Sequence, residues 1–113
     1  EETWKQKNAA IFVAKTKEGM AGYLIFYYVL EEGEIARIAT EHSVRRQGAA
    51  SQMFRKLLDF CREQKITRIM LEVRENNEAA RQFYGKCGFT KDGIRRNYYE
   101  NPKENAVLMS VNL

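Results

Sequence analysis

The sequence predicts an α/β fold, a sandwich with a mixed central sheet flanked by helices, in the order β-β-β-α-β-α-β-β. Two observations predict it. The apolar pattern switches twice from strand-like runs to helical spacing and back, and the switches leave a β-α-β unit at the centre of the chain. Residues 10–15, Ala-Ile-Phe-Val-Ala-Lys, read as the first strand, with Lys17-Glu18-Gly19 as the turn after it. Residues 22–30 are a β-branched and aromatic run closed by Glu31-Glu32-Gly33, and residues 34–40 alternate as a third strand, completing a meander. From Ala50 on, Met53, Phe54, Leu57, Leu58 and Cys61 recur at helical spacing, with Arg55, Lys56, Asp59, Arg62 and Glu63 on the other side. Residues 66–73 return to strand, and their apolar residues at successive positions suggest burial on both faces. Residues 77–86 form a second helix ended by Gly88, and residues 89–99 and 106–113 make a last pair of strands around Asn101-Pro102.

The bulk numbers narrow the class. With 113 residues the chain has room for one domain, and 44% hydrophobic with 30% charged residues is ordinary globular composition. No apolar run approaches the ~20 residues that span a bilayer, so a soluble cytoplasmic protein without membrane contact is expected. The two cysteines, Cys61 and Cys87, lie in helical apolar patterns and read as reduced thiols. A single histidine, His42, leaves a zinc centre almost without ligands, so no metal is expected; His42 itself reads as a loop residue. The net charge of +4 suits a polyanionic ligand, but no basic block with interleaved aromatics favours nucleic acid.

Two constellations point to chemistry. Between the third strand and the first helix stands Arg45-Arg46-Gln47-Gly48-Ala49-Ala50. A helix N-terminus offers unpaired N–H groups and a positive dipole end, Gly48 lets the backbone approach a bulky anion, and two arginines suit a pyrophosphate. An ordinary strand-to-helix turn reads equally well there. The turn lacks the G-x-G-x-x-G of dinucleotide folds and the G-K-[ST] of a P-loop. Further on, Leu71-Glu72-Val73-Arg74 leads into Asn77, Ala80, Tyr84 and Gly88-Phe89. Asn77 and Tyr84, seven residues apart, share a helix face about 10 Å apart with small Ala80 between, while Ala79, Phe83 and Cys87 form the stripe expected to face the sheet. Taken singly, Tyr84 reads as a core aromatic, Asn77 as an N-cap and Glu72 as a paired surface carboxylate. Together they read as a site.

The turn is similar to the acetyl-CoA loop R/Q-x-x-G-x-G/A of the GNAT superfamily of N-acetyltransferases, through Arg45, Gly48 and Ala50. The series L-E-V-R-x-x-N-x-x-A-x-x-x-Y-x-x-x-G-F, with Ile94-Arg95-Arg96-Asn97-Tyr98-Tyr99 after it, resembles the RimI branch, which acetylates protein N-termini. The resemblance implies a single GNAT domain over residues 1–113 with acetyl-CoA as cosubstrate. Arg45, Arg46, Gln47, Gly48, Ala49, Ala50 and Ser51 would then line the pyrophosphate, and the backbone of Ile38, Ala39 and Thr40 would meet the pantetheine arm. Asn77 would be a further contact to that arm, Glu72 the general base and Tyr84 the general acid, with the stretch 95–99 flanking the acceptor groove. The implied acceptor is a protein N-terminus, of the ribosomal-protein alanine kind. An α-amine, with a pKa near ~8 against ~10.4 for lysine, needs only a modest base. A small amine or a lysine side chain is the alternative acceptor, and a non-catalytic CoA-binding module is the rival of another class. The chain departs from the family in opening where such domains are past their first strand and first helix, near Trp4, which would leave residues 10–15 as an exposed edge prone to self-association.

Overall fold

The computed structural model of the chain describes residues 8–17, 19–40 and 46–113, backbone only at Arg46 and Gln47. Trp4 and the loop with His42 and Arg45 lie outside these residues. The described elements follow the expected order, and they fall into two units, Glu1–Thr67 and Arg68–Leu113.

In the first unit, β1 (Asn8–Thr16), β2 (Gly19–Val29) and β3 (Glu32–Thr40) form an antiparallel meander. Helix α1 (Arg46–Gln64) buries Met53, Phe54, Leu57 and Cys61, the stripe read from the sequence, and β2 contributes Leu24 and Phe26 to the same core. The Phe60 ring meets Phe12 at 5.5 Å, Tyr28 at 5.2 Å and Phe26 at 6.5 Å, all edge-on, a geometry worth about 0.5–1.5 kcal/mol per pair beyond area burial. The helix ends with Lys65 in the left-handed region (φ 61°), Lys65 N–H donating to the Arg62 carbonyl and Ile66 N–H to that of Cys61. These two bonds satisfy carbonyls that a helix end otherwise leaves unpaired. Ile66 and Thr67 are therefore part of the connection, and the strand expected from residue 66 begins at Arg68.

Gly33 is not the turn residue the sequence suggested. The turn is Leu30-Glu31, with Leu30 at φ 53°, and Gly33 is buried within β3. A Cβ there would overlap the ring of Phe26, so the glycine exists to seat that ring. The edge strand β1 pairs with β2, its register shifting between Ala14 and Lys15. Two side chains of α1 take up its backbone near that shift: Lys56 Nζ donates to the Val13 carbonyl at 2.7 Å, and Gln52 Oε1 accepts from Lys15 N–H at 3.3 Å.

In the second unit, β6 (Glu104–Asn112) lies between β4 (Arg68–Arg74) and β5 (Thr90–Tyr99), antiparallel to both, and α2 (Glu78–Lys86) connects β4 to β5. Strand β4 was expected to be buried on both faces, and it is not. Ile69, Leu71 and Val73 are buried, while Arg68, Met70, Glu72 and Arg74 alternate with them on a half-covered polar face. Met70, standing between Ile69 and Leu71, makes the run look continuously apolar without closing that face.

Replacing Gly33 with alanine is expected to destabilise the protein by about 1–3 kcal/mol or more, because the added methyl forces Phe26 out of its place. A thermal melt checks this, since a loss of that size lowers Tm by roughly 4–8 °C per kcal/mol; an unchanged Tm would mean that Phe26 has somewhere else to go.

Candidate active site

The residues expected at the phosphate end divide by position. Arg45 lies outside the described residues. Arg46 to Ala49, read as a turn before a helix that starts near Ala50, are instead with Ala50 and Ser51 the first turns of α1, because the helix begins at Arg46. The backbone N–H groups of Arg46, Gln47 and Gly48 are among those a helix leaves unpaired at its N-terminus, and they are the donors an anion would find there. Ala50 and Ser51 are far enough in for their N–H groups to serve the helix, so they offer only a small surface and an exposed hydroxyl. Ala49 is buried and turns its methyl into the core. Gly48 is exposed, and a Cβ on it would meet nothing within 4 Å. Its lack of a side chain therefore serves no packing need and leaves the first turn bare.

Ile38, Ala39 and Thr40 end β3, half-buried. The register shift opposite Ile25 and Phe26 leaves Ala36 unopposed, a bulge that re-aims the last four residues of the strand. Gly22 lies opposite Thr40, and a Cβ there would stand 2.6 Å from the Ala39 carbonyl, 3.1 Å from Thr40 Cγ2 and 3.3 Å from Met53 Cε. This glycine, unnoticed in the sequence except as the start of a strand, thus brings the end of β3 and the second turn of α1 together. A glycine opening an otherwise strand-forming run was the only available signal.

In the second unit, Asn77 caps α2, its side-chain oxygen accepting from Ala80 N–H at 3.2 Å. The capping reading thus holds, and the amide N–H₂ is the donor end of that exposed side chain. Tyr84 is the residue that α2 buries, at 5% exposure, while Ala79 is exposed and Phe83 and Cys87 are half-buried. The face expected to be open and the stripe expected to face the sheet are therefore exchanged at Tyr84. The cause is the helix end. Gly88, at φ 100°, donates to the Gly85 carbonyl, and Phe89 N–H returns to the Tyr84 carbonyl at 3.0 Å, which folds the Phe89 ring against Tyr84 at 5.5 Å. Burial, with a smaller contribution from Cys87, pushes the Tyr84 phenol from 10.0 up to about 12. No described side-chain oxygen is both buried and unpartnered.

Glu72 stands on the polar face of β4, 24% exposed at its side chain, with Arg95 Nη1 at 3.4 Å from Oε2. Arg95 lies over the Tyr98 ring at 4.9 Å, and Arg74 over Tyr99 at 4.3 Å. Arg74 also donates to Glu104 Oε1 at 3.1 Å and to the carbonyls of Pro102 and Glu100. Glu104 accepts from the Asn76 N–H at 2.5 Å, and that bond, helped by Arg74, holds its carboxyl below the usual range. The end of β4 is thereby tied to the β5–β6 turn. The sequence did not foretell the Glu72–Arg95 pair, because it spans three strands and only the register reveals it.

Among the described residues no cluster of three or more His, Cys, Asp or Glu side chains could hold a metal, and no helix is long and apolar enough to cross a membrane. Cys61 and Cys87 are free thiols.

The chain belongs to the GNAT family of acetyltransferases, whose family model matches residues 1–89, and it has the fold and the acetyl-CoA dependence of that family. It is 37% identical over 95 residues to the [ribosomal protein bS18]-alanine N-acetyltransferase of Haemophilus influenzae, covering 81% of this chain and 64% of that protein. The crystal structure of the ribosomal-protein-S18-alanine N-acetyltransferase from Escherichia coli superposes with a TM-score of 0.83 at 31% identity, covering 92% of this chain and 68% of that one. A GNAT family acetyltransferase from Elizabethkingia anophelis with acetyl-CoA bound shares the fold at a TM-score of 0.80 and 20% identity, covering 93% of this chain and 76% of its own.

Gly48→Ala is expected to raise helix stability by up to about 1 kcal/mol, since nothing obstructs the methyl. The same methyl is expected to weaken acetyl-CoA about tenfold, a difference of ~1.4 kcal/mol. A melt and a calorimetric titration read the two effects; unchanged affinity would remove Gly48 from the cosubstrate site. Tyr84 also makes a pH prediction. Its pKa is raised on folding, so the associated stability is complete below about 10 and is lost as the pH rises through about 12. The loss amounts to roughly 2–3 kcal/mol at about 1.4 kcal/mol per unit. Urea unfolding of wild type and Tyr84→Phe between pH 9 and 12 isolates it, the variant losing less stability over that range.

Proposed function

We propose that residues 1–113 act as a single N-acetyltransferase domain that moves the acetyl group of acetyl-CoA to the α-amino group of a protein N-terminus, in the cytoplasm. By likeness to the relatives, an N-terminal alanine of a ribosomal protein is the acceptor. The observation that carries this reading is the presence, within one unit, of a partly exposed carboxylate, Glu72, on β4 and a buried phenol, Tyr84, on the helix that follows it.

In this mechanism the first turn of α1, from Arg46 to Gly48, receives the diphosphate, with Arg45 adding charge, Ala50 and Ser51 completing the surface and Ala49 anchoring the turn to the core beneath. The backbone at Ile38, Ala39 and Thr40 aligns the pantetheine arm and polarises the thioester carbonyl; such a backbone donor is worth about 3–4 kcal/mol of barrier. Asn77 holds the arm from the cap of α2. Glu72 takes a proton from the acceptor amine, directly or through one water, and the nitrogen lone pair forms the new N–C bond. The C–S bond then breaks, and Tyr84 donates to the departing sulfur, so that the products are an amide and free CoA thiol. The proton left on Glu72 returns to the tyrosinate through solvent. A phenol near 12 is a weak acid, and its contribution is greatest as a hydrogen bond to the desolvated sulfur while charge builds there.

The test is an acetyl-transfer assay on peptides with free N-termini, one beginning Ala-Arg, beside polyamines and N-blocked lysine peptides. Transfer confined to free α-amines is expected. Glu72→Gln and Tyr84→Phe are each expected to lower kcat about 10²-fold or more while acetyl-CoA affinity stays within about twofold. Transfer to polyamines or lysine alone would assign the other acceptor class, and acetyl-CoA binding without turnover on any amine would make the chain a binding module.

A further inference from the structure

The polar face of the second unit holds one arrangement that the reaction above leaves unused. On that face Glu72, Leu108 and Gly93 form one row across β4, β6 and β5, and Arg74, Ala106 and Arg95 form the next. Gly93 puts no side chain in the row of Glu72, and a Cβ there would meet nothing within 4 Å, so the carboxylate faces an opening on β5. Arg95 fills it from the adjacent row. Two strand spacings amount to about 9.6 Å, a span that an arginine reaching over the small Ala106 toward an approaching glutamate can bridge.

The guanidinium is shelved as well as paired. Between Arg95 and Tyr99 the register of β5 against β6 slips, so that Arg96, Asn97 and Tyr98 stand against Asn105 alone. Asn97 takes a left-handed conformation (φ 52°), its N–H donates to Asn105 Oδ1 at 2.8 Å, and Asn105 Nδ2 donates to Glu75 Oε1 at 3.1 Å. This bulge turns the Tyr98 ring under the Arg95 guanidinium at 4.9 Å. Arg95 is 54% exposed at its side chain, and ion pairs this exposed add little to fold stability. Its geometric definition calls for a different use.

We propose that Arg95 is a positioning residue for Glu72: held on Tyr98, it fixes the carboxylate in the orientation that receives the acceptor amine. The inference rests on the reading of Glu72 as the base. An Arg95 held in place leaves one carboxylate oxygen, Oε2, engaged and turns the other toward the acceptor. Without it, Glu72 samples several rotamers and the productive one is populated only part of the time.

The experiment compares wild type, Arg95→Ala, Arg95→Lys, Glu72→Gln and the double variant Glu72→Gln/Arg95→Ala, each as the full chain with acetyl-CoA and a free-N-terminus peptide. Arg95→Ala is expected to lower kcat about tenfold with the acetyl-CoA KM within about twofold, and Arg95→Lys to recover part of the loss. In the Glu72→Gln background, removing Arg95 is expected to cost less than about twofold more, because residues acting as a unit are non-additive. Full kcat in Arg95→Ala, or a loss that adds in full to that of Glu72→Gln, overturns the proposal. An unchanged kcat in Glu72→Gln alone instead overturns the assignment of the base. A crystal structure of Arg95→Ala gives a readout independent of turnover: a displaced or multiply placed Glu72 side chain supports the positioning role, and an unmoved one refutes it.

Discussion

The second unit depends on the period-2 alternation of β4. Because side chains of a strand point to opposite faces in turn, the same seven residues both close a core, through Ile69, Leu71 and Val73, and display Arg68, Met70, Glu72 and Arg74. Shifting that strand by one residue against β6 would bury Glu72 and Arg74 and expose Leu71 and Val73, at a cost no surrounding contact offsets. The position of the carboxylate is thus set by the same constraint that sets the core. The carboxylate and the core share one register.

Tyr84 is placed by a different device, the end of a helix. A glycine in the left-handed region lets the chain double back, and the residue after it, Phe89, packs on the residue five before it. The phenol owes its raised pKa to that burial. Its acid strength therefore comes from local backbone geometry more than from any neighbouring charge. In the first unit, the first turn of α1 gives up helix propensity at Gly48 with no packing return. Tyr84 is fixed by added contact, and the first turn of α1 is left bare by withheld contact.

Much of this was legible in the residues. The helical spacing of Met53, Phe54, Leu57 and Cys61, the glycine after residues 77–86 and the order of elements all follow from periodicity and cap chemistry, which are local. What was misread depends on partners distant in sequence. Gly33 looks like a turn until the hairpin register sets it under Phe26, and Met70 makes β4 look doubly buried until β6 shows which face is covered. Gly48 and its two alanines read as loop because glycine is a poor helix former, yet the helix starts before them. The Glu72–Arg95 pair needs two strand registers to be foreseen, and no local pattern encodes those.

The outer strand of the meander has a consequence of its own. Its backbone is kinked at Ala14 and Lys15, and two long side chains of α1, Lys56 and Gln52, occupy a carbonyl and an amide beside the kink. A foreign strand docking on that margin would meet a bent ladder with some rungs already taken, and a lysine charge beside it. The helix that forms the core thereby also ties down the backbone of the strand farthest from β3 in the meander.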